Sequence, residues 1–132
     1  MAPRVLVADD EPAITDVMAQ ALGSAGYDVI EAHDGAAALE RARREHPDAM
    51  LIDVMMPGLD GREVCRRIRD DPALADTPIA LFSSMDERDV GWRAAGADAF
   101  LQKAFDIFDL PDFVARLLDR GDDGRQPSPP AS

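Results

Sequence analysis

Arg4-Val5-Leu6-Val7-Ala8-Asp9-Asp10-Glu11-Pro12 sets an unbroken apolar run directly against three carboxylates and a proline. Apolar residues on consecutive positions, rather than alternate ones, are the pattern of a parallel strand covered on both faces. Pro12 suits the first turn of a helix, where its missing N–H leaves no bond unmade. The helix that follows carries Ile14, Val17, Met18, Ala21 and Leu22 at i, i+3, i+4, i+7 and i+8, a stripe expected to face a core, and Gly23 to Gly26 ends it. Strand, acidic turn and helix make one β–α unit.

Working outward, four more apolar runs recur at Tyr27–Ala32, Ala49–Ile52, Ile79–Phe82 and Ala99–Leu101. Each precedes a helical pattern. The second helix is expected over Gly35–Glu45, and the third over Gly61–Asp70 with Val64, Cys65 and Ile68 facing inward. The fourth is expected over Glu87–Ala95 with Gly96 as its cap, and the last begins near Asp109-Leu110-Pro111 and turns Phe113, Val114, Leu117 and Leu118 to one side. Five such units in alternation imply an α/β fold, a doubly wound five-stranded parallel sheet of flavodoxin-like (βα)5 type, with strand order 2-1-3-4-5 and right-handed crossovers. Residues 1–120 form that domain. Residues 121–132 lack any aliphatic side chain larger than alanine and read as a disordered tail or the start of a linker.

Of 132 residues, 46% are apolar and 5% aromatic, so the core is aliphatic. A formal charge of −12 opposes nucleic-acid phosphates, so no direct nucleic-acid contact is expected; a divalent cation or a basic protein surface is the more natural partner. No run is long and apolar enough for membrane insertion. The lone cysteine, Cys65, can form no internal disulfide, and a reducing cytoplasmic location is the default. Cys65 reads as a small core residue, His33 and His46 as surface residues, and Trp92 as either a packing residue or an anchor for a partner.

In this topology the switch point lies between strands 1 and 3, and ligands gather beyond the carboxyl ends there. Asp9, Asp10 and Glu11 close strand 1 and Asp53 closes strand 3, so carboxylates converge on that crevice. Left alone they repel; Mg²⁺, which favours a few carboxylates plus waters, resolves the conflict. Strands 4 and 5 bring the hydroxyl of Ser83 and the ammonium of Lys103, the only lysine in the chain.

From Val5 to Leu118 the chain resembles the receiver domain of bacterial two-component response regulators, of the single-domain, chemotaxis-regulator-like kind. The matching elements are Val5 to Pro12, then Leu51-Ile52-Asp53-Val54-Met55-Met56-Pro57-Gly58-Leu59-Asp60-Gly61, then Ser83, Gly96-Ala97-Asp98, Phe100 and Lys103. The resemblance implies that Asp53 accepts a phosphoryl group from a sensor histidine kinase or a histidine phosphotransfer protein. It implies that Asp10, Asp53 and the backbone carbonyl of Met55 hold Mg²⁺, with Asp9 acting mainly through water, and that Lys103 and Ser83 contact the phosphoryl oxygens. Ser83 and Phe100 then rearrange together and remodel the face of helix 4, strand 5 and helix 5 for a downstream protein. The chain would catalyse its own phosphorylation and a slow dephosphorylation.

Two departures from the family pattern matter. Ala104 stands where the family has a proline joined through a cis bond; a cis bond before a non-proline residue costs about 2.5–4 kcal/mol, so a trans Lys103–Ala104 bond and a rearranged loop are expected. Met55 and Met85 occupy the positions flanking the hydrolytic water in the family. Neither can polarise water, so the phosphoryl lifetime should be long. Two other readings use the same residues: a pseudo-receiver that binds proteins without phosphorylation, and a Mg²⁺-dependent phosphatase with an aspartyl nucleophile. The phosphatase reading requires a second acid two residues after Asp53, where Met55 stands.

Overall fold

A computed structural model describes residues 2–123. Its elements are β1 (Arg4–Ala8), α1 (Pro12–Ser24), β2 (Asp28–Ala32), α2 (Gly35–Glu45), β3 (Ala49–Asp53), α3 (Gly61–Asp70), β4 (Ile79–Ser83), α4 (Glu87–Val90), β5 (Ala99–Gln102) and α5 (Leu110–Asp123), with a 3-10 turn at Ile107–Asp109 before α5. The five strands are parallel, in the expected order β2-β1-β3-β4-β5. Strand order reverses between β1 and β3, which opens the crevice.

Alternate residues of β1 divide the core between the two faces of the sheet. Leu6 and Ala8 pack with Ala38, Leu39, Val64, Cys65 and Ile68 of α2 and α3. Val5 and Val7 pack with Met18 and Leu22 of α1 and with Leu110, Val114 and Leu117 of α5. Every residue of β3 and β4 is buried, which is why these strands read as unbroken apolar runs. Both apolar runs are followed by one further strand residue, a polar side chain that closes the strand as expected and belongs to the site: Asp53 and Ser83.

Three sequence expectations change. Val17 is 48% exposed, not part of the buried stripe; Thr15, Met18 and Leu22, at i, i+3 and i+7, take the inward positions, and Val17 falls about 100° round the helix from Met18. The fourth helix stops at Val90 rather than Ala95, because Gly91 adopts the left-handed conformation at φ 69°. Helix α5 runs on to Asp123, past the boundary expected at 120; the rest of the expected tail, 124–132, lies outside the described residues. Trp92 packs in the core at 8% exposure, and Cys65 is fully buried. No helix among the described residues is long and apolar enough to cross a membrane.

Candidate functional site

Three strand ends are built the same way. Asp9 Oδ1 accepts the N–H of Glu11 at 2.9 Å, Asp53 Oδ1 accepts that of Met55 at 3.2 Å, and Ser83 Oγ accepts that of Met85 at 3.0 Å. Each side chain thereby caps its own turn, the habit of short polar residues where a strand gives way to a loop. The bond fixes one oxygen of each carboxylate and leaves the other aimed into the crevice. A serine oxygen that accepts a bond keeps its own proton to donate.

The remaining oxygens meet Lys103. Its Nζ lies 3.1 Å from Asp9 Oδ2 and 3.3 Å from Asp53 Oδ2, and Asp9, Asp53 and Ser83 are all buried. Lys103 is held from two sides: its backbone N–H donates to Ser83 O at 2.8 Å, and its ammonium sits 5.6 Å from the centre of the Phe82 ring. No cis peptide bond occurs among the described residues, so Lys103 reaches the crevice through a trans link to Ala104. The ring of Phe82 was not legible as part of the site, because nothing local marks a core phenylalanine as a platform for a cation.

Charge is unbalanced here. Asp9, Asp10 and Asp53 each offer an oxygen, all within 4.8 Å of one another, against one ammonium. Burial, and after it the charge of Asp9, pushes the Asp53 carboxyl from 3.8 up to about 6, although Lys103 and the Met55 N–H pull the other way. Burial works to lower the Lys103 pKa, but Asp9 and Asp53 outweigh it and hold the ammonium above its ordinary value. Asp9 Oδ2 is buried and, apart from its ion pair with Lys103, has no hydrogen-bond donor. Hard oxygen donors, among them a buried carboxylate oxygen whose one partner is an ammonium shared with Asp53, fit Mg²⁺ chemically.

A glycine locks the acidic strand end to the helix behind it. A Cβ on Gly61 would overlap the Asp53 carbonyl oxygen, and the Gly61 N–H donates to Val54 O at 3.0 Å. The β3–α3 loop therefore closes directly behind Asp53. Of the other expected site residues, Asp10 is exposed at the mouth, Met55 is 57% exposed, and Met85 and Phe100 are partly buried against the α2/α3 side of the core.

Residues 5–115 match the family model of the response regulator receiver domain. The chain belongs to that family. It is 42% identical over 123 residues to the response regulator MprA of Mycobacterium tuberculosis, covering 91% of this chain and 52% of that protein. It is 38% identical over 122 residues to the DNA-binding dual master transcriptional regulator RpaA of Synechocystis, covering 91% of this chain and 51% of that one. The receiver thus spans about half the length of these curated relatives. Among solved structures, the chemotaxis response regulator CheY4 of Vibrio cholerae superposes with a TM-score of 0.84 at 30% identity, over 89% of this chain and 99% of that one. The signal receiver domain of the response regulator NarL from Mycobacterium tuberculosis superposes with a TM-score of 0.81 at 35% identity, over 89% and 97%. Receiver domains act in two-component signalling, and switching by phosphorylation is their general function.

Proposed function

We propose that this receiver takes a phosphoryl group onto Asp53 from a phosphohistidine of a sensor kinase or phosphotransfer protein. The observation that carries the reading is the Asp9–Lys103–Asp53 arrangement, in which one ammonium serves two buried carboxylates and leaves an excess of negative charge. Asp9, Asp10, Asp53 and the backbone carbonyl of Met55 would hold Mg²⁺, which when bound supplies positive charge opposite the phosphoryl oxygens.

In the transfer, one oxygen of the Asp53 carboxylate forms a bond to phosphorus as the histidine N–P bond breaks. The electron pair of that bond stays with the imidazole, which takes up a proton. Lys103 offsets charge on the phosphoryl oxygens, and the free proton of Ser83 donates to one of them. Phosphorylation brings about −1.5 to −2 charges into the crevice, enough to draw Ser83 and Lys103 inward and let Phe100 fill the space behind. Release as inorganic phosphate needs water to attack phosphorus, and neither Met55 nor Met85 can take its proton, so the phosphorylated state is long-lived.

Val17 on α1 and Phe108 on the 3-10 turn that adjoins it are 48% and 86% exposed, apolar side chains that a protein donor could cover. The free, buried Cys65 accords with a reducing cytoplasm. Incubation with Mg²⁺ and acetyl phosphate followed by intact mass tests the reading. One hydroxylamine-labile phosphoryl group is expected, and it should be absent in Asp53→Asn. An unmodified wild type, or an equally modified variant, would overturn the reading.

A further inference from the structure

A helix that should continue is interrupted by contacts from elsewhere in the fold. In an unbroken helix the carbonyl of Val90 would accept the N–H four residues on, at position 94. Here that carbonyl accepts from Arg62 Nη1 at 3.2 Å, and Gly91 turns the chain aside at φ 69°. The chain then resumes a helical turn, with the Ala95 N–H bonded to Gly91 O at 3.1 Å. Across the break, Trp92 Nε1 donates to Glu87 Oε2 at 3.1 Å. Residues five apart lie about 140° round a continuous helix, so that bond too belongs to the interrupted form.

Arg62 is itself fixed. Asp60 accepts its Nε at 3.0 Å and its Nη2 at 2.8 Å, and caps α3 through the Arg62 N–H at 2.7 Å. Asp60 immediately precedes Gly61, whose close approach to the Asp53 carbonyl ties this corner to the acidic strand end. A shift of the β3–α3 loop therefore moves the guanidinium that α4 leans on.

We propose that Arg62 is a positioning residue that holds α4 in its interrupted form, and that displacement of the loop at Asp53 releases the Val90 carbonyl so that residues 91–95 join α4 as one helix. The two forms exclude one another at Gly91, whose backbone is left-handed in one and helical in the other, which makes the element bistable rather than continuously deformable. Joining would swing Trp92 out of its packed position and reshape the surface beside β5. The trigger rests on phosphorylation of Asp53; the Arg62 lock does not.

Trp92 is the only tryptophan and reports directly. With no phosphodonor present, Arg62→Gln is expected to move Trp92 emission to longer wavelength and to increase far-UV helical signal. Gly91→Ala, which disfavours the left-handed conformation and meets no neighbour within 4 Å, is expected to do the same. Wild-type spectra in both variants, with cooperative unfolding retained, would overturn the lock. Wild-type protein with Mg²⁺ and acetyl phosphate should show the same red shift in step with its gain in mass. A mass gain with unmoved emission overturns the coupling while leaving phosphorylation standing. No mass gain overturns the trigger, while a red shift in Arg62→Gln alone still supports the lock.

Discussion

Replacing Asp53 with asparagine should stabilise the protein when no divalent metal is present. The buried carboxyl is raised from 3.8 to about 6, so the folded state holds its proton more tightly than the unfolded chain does. Stability from this group is therefore full below about pH 4, falls as pH rises through 6, and stays low above. At about 1.36 kcal/mol per pH unit, a gap of roughly two units amounts to about 3 kcal/mol of strain in the metal-free site at pH 8. Asparagine keeps the shape and resembles the protonated acid, while Lys103 keeps Asp9 as a partner. Urea unfolding in EDTA, followed by Trp92 fluorescence, should find Asp53→Asn more stable than wild type by up to about 3 kcal/mol at pH 8, with the two converging near pH 4. Millimolar Mg²⁺ should then narrow the gap by stabilising wild type more than the variant. A variant no more stable than wild type at pH 8, with a parallel pH profile, would refute the reasoning.

Gly61→Ala forces a methyl into the Asp53 carbonyl and should cost about 1–3 kcal/mol in urea unfolding and abolish uptake from acetyl phosphate. Asn at Met55 together with Glu at Met85 should shorten the lifetime of the phosphorylated protein severalfold, read as decay of the added mass; an unchanged lifetime counts against the water-positioning argument. The Cys65 thiol, fully buried and pushed up to about 11 by that burial, should resist iodoacetamide at pH 8 until urea unfolds the chain, read by mass. Arg69→Ala removes donors to Gly96 O, Ala75 O and Thr77 O and the ion pair to Asp98, and should lower stability by about 2–3 kcal/mol in the same unfolding assay.

The sheet was legible because its strands are buried on both faces and so read as apolar runs of strand length. The crevice followed from where Asp9, Asp53, Ser83 and Lys103 fall relative to those runs. What stayed hidden depends on partners distant in sequence. Residues 87 to 95 carry helical spacing, but Gly91 turns left-handed, a conformation glycine adopts freely, and Arg62, 28 residues before Val90, takes the Val90 carbonyl while Trp92 packs in the core. Val17 has the right spacing for burial, yet the direction α1 faces is set by Met18 and Leu22 against α5 and β1. Thr15 was passed over because a hydroxyl gives no hydropathy signal; its Oγ1 bonds to Pro12 O at 3.1 Å, which lets it be buried. The support of Lys103 by Phe82 and by the Ser83 carbonyl was likewise invisible, and it positions the ammonium without a proline at 104.

A crystal structure grown with Mg²⁺ and beryllofluoride, which mimics a phosphoryl group, tests the central claim most directly. The account predicts beryllium bonded to an Asp53 oxygen, the metal on Asp10 and Asp53, and Lys103 Nζ and Ser83 Oγ within hydrogen-bond reach of the fluorines. An unmodified Asp53 at saturating reagent, with Lys103 still shared between Asp9 and Asp53 and no metal beside Asp10, would contradict it.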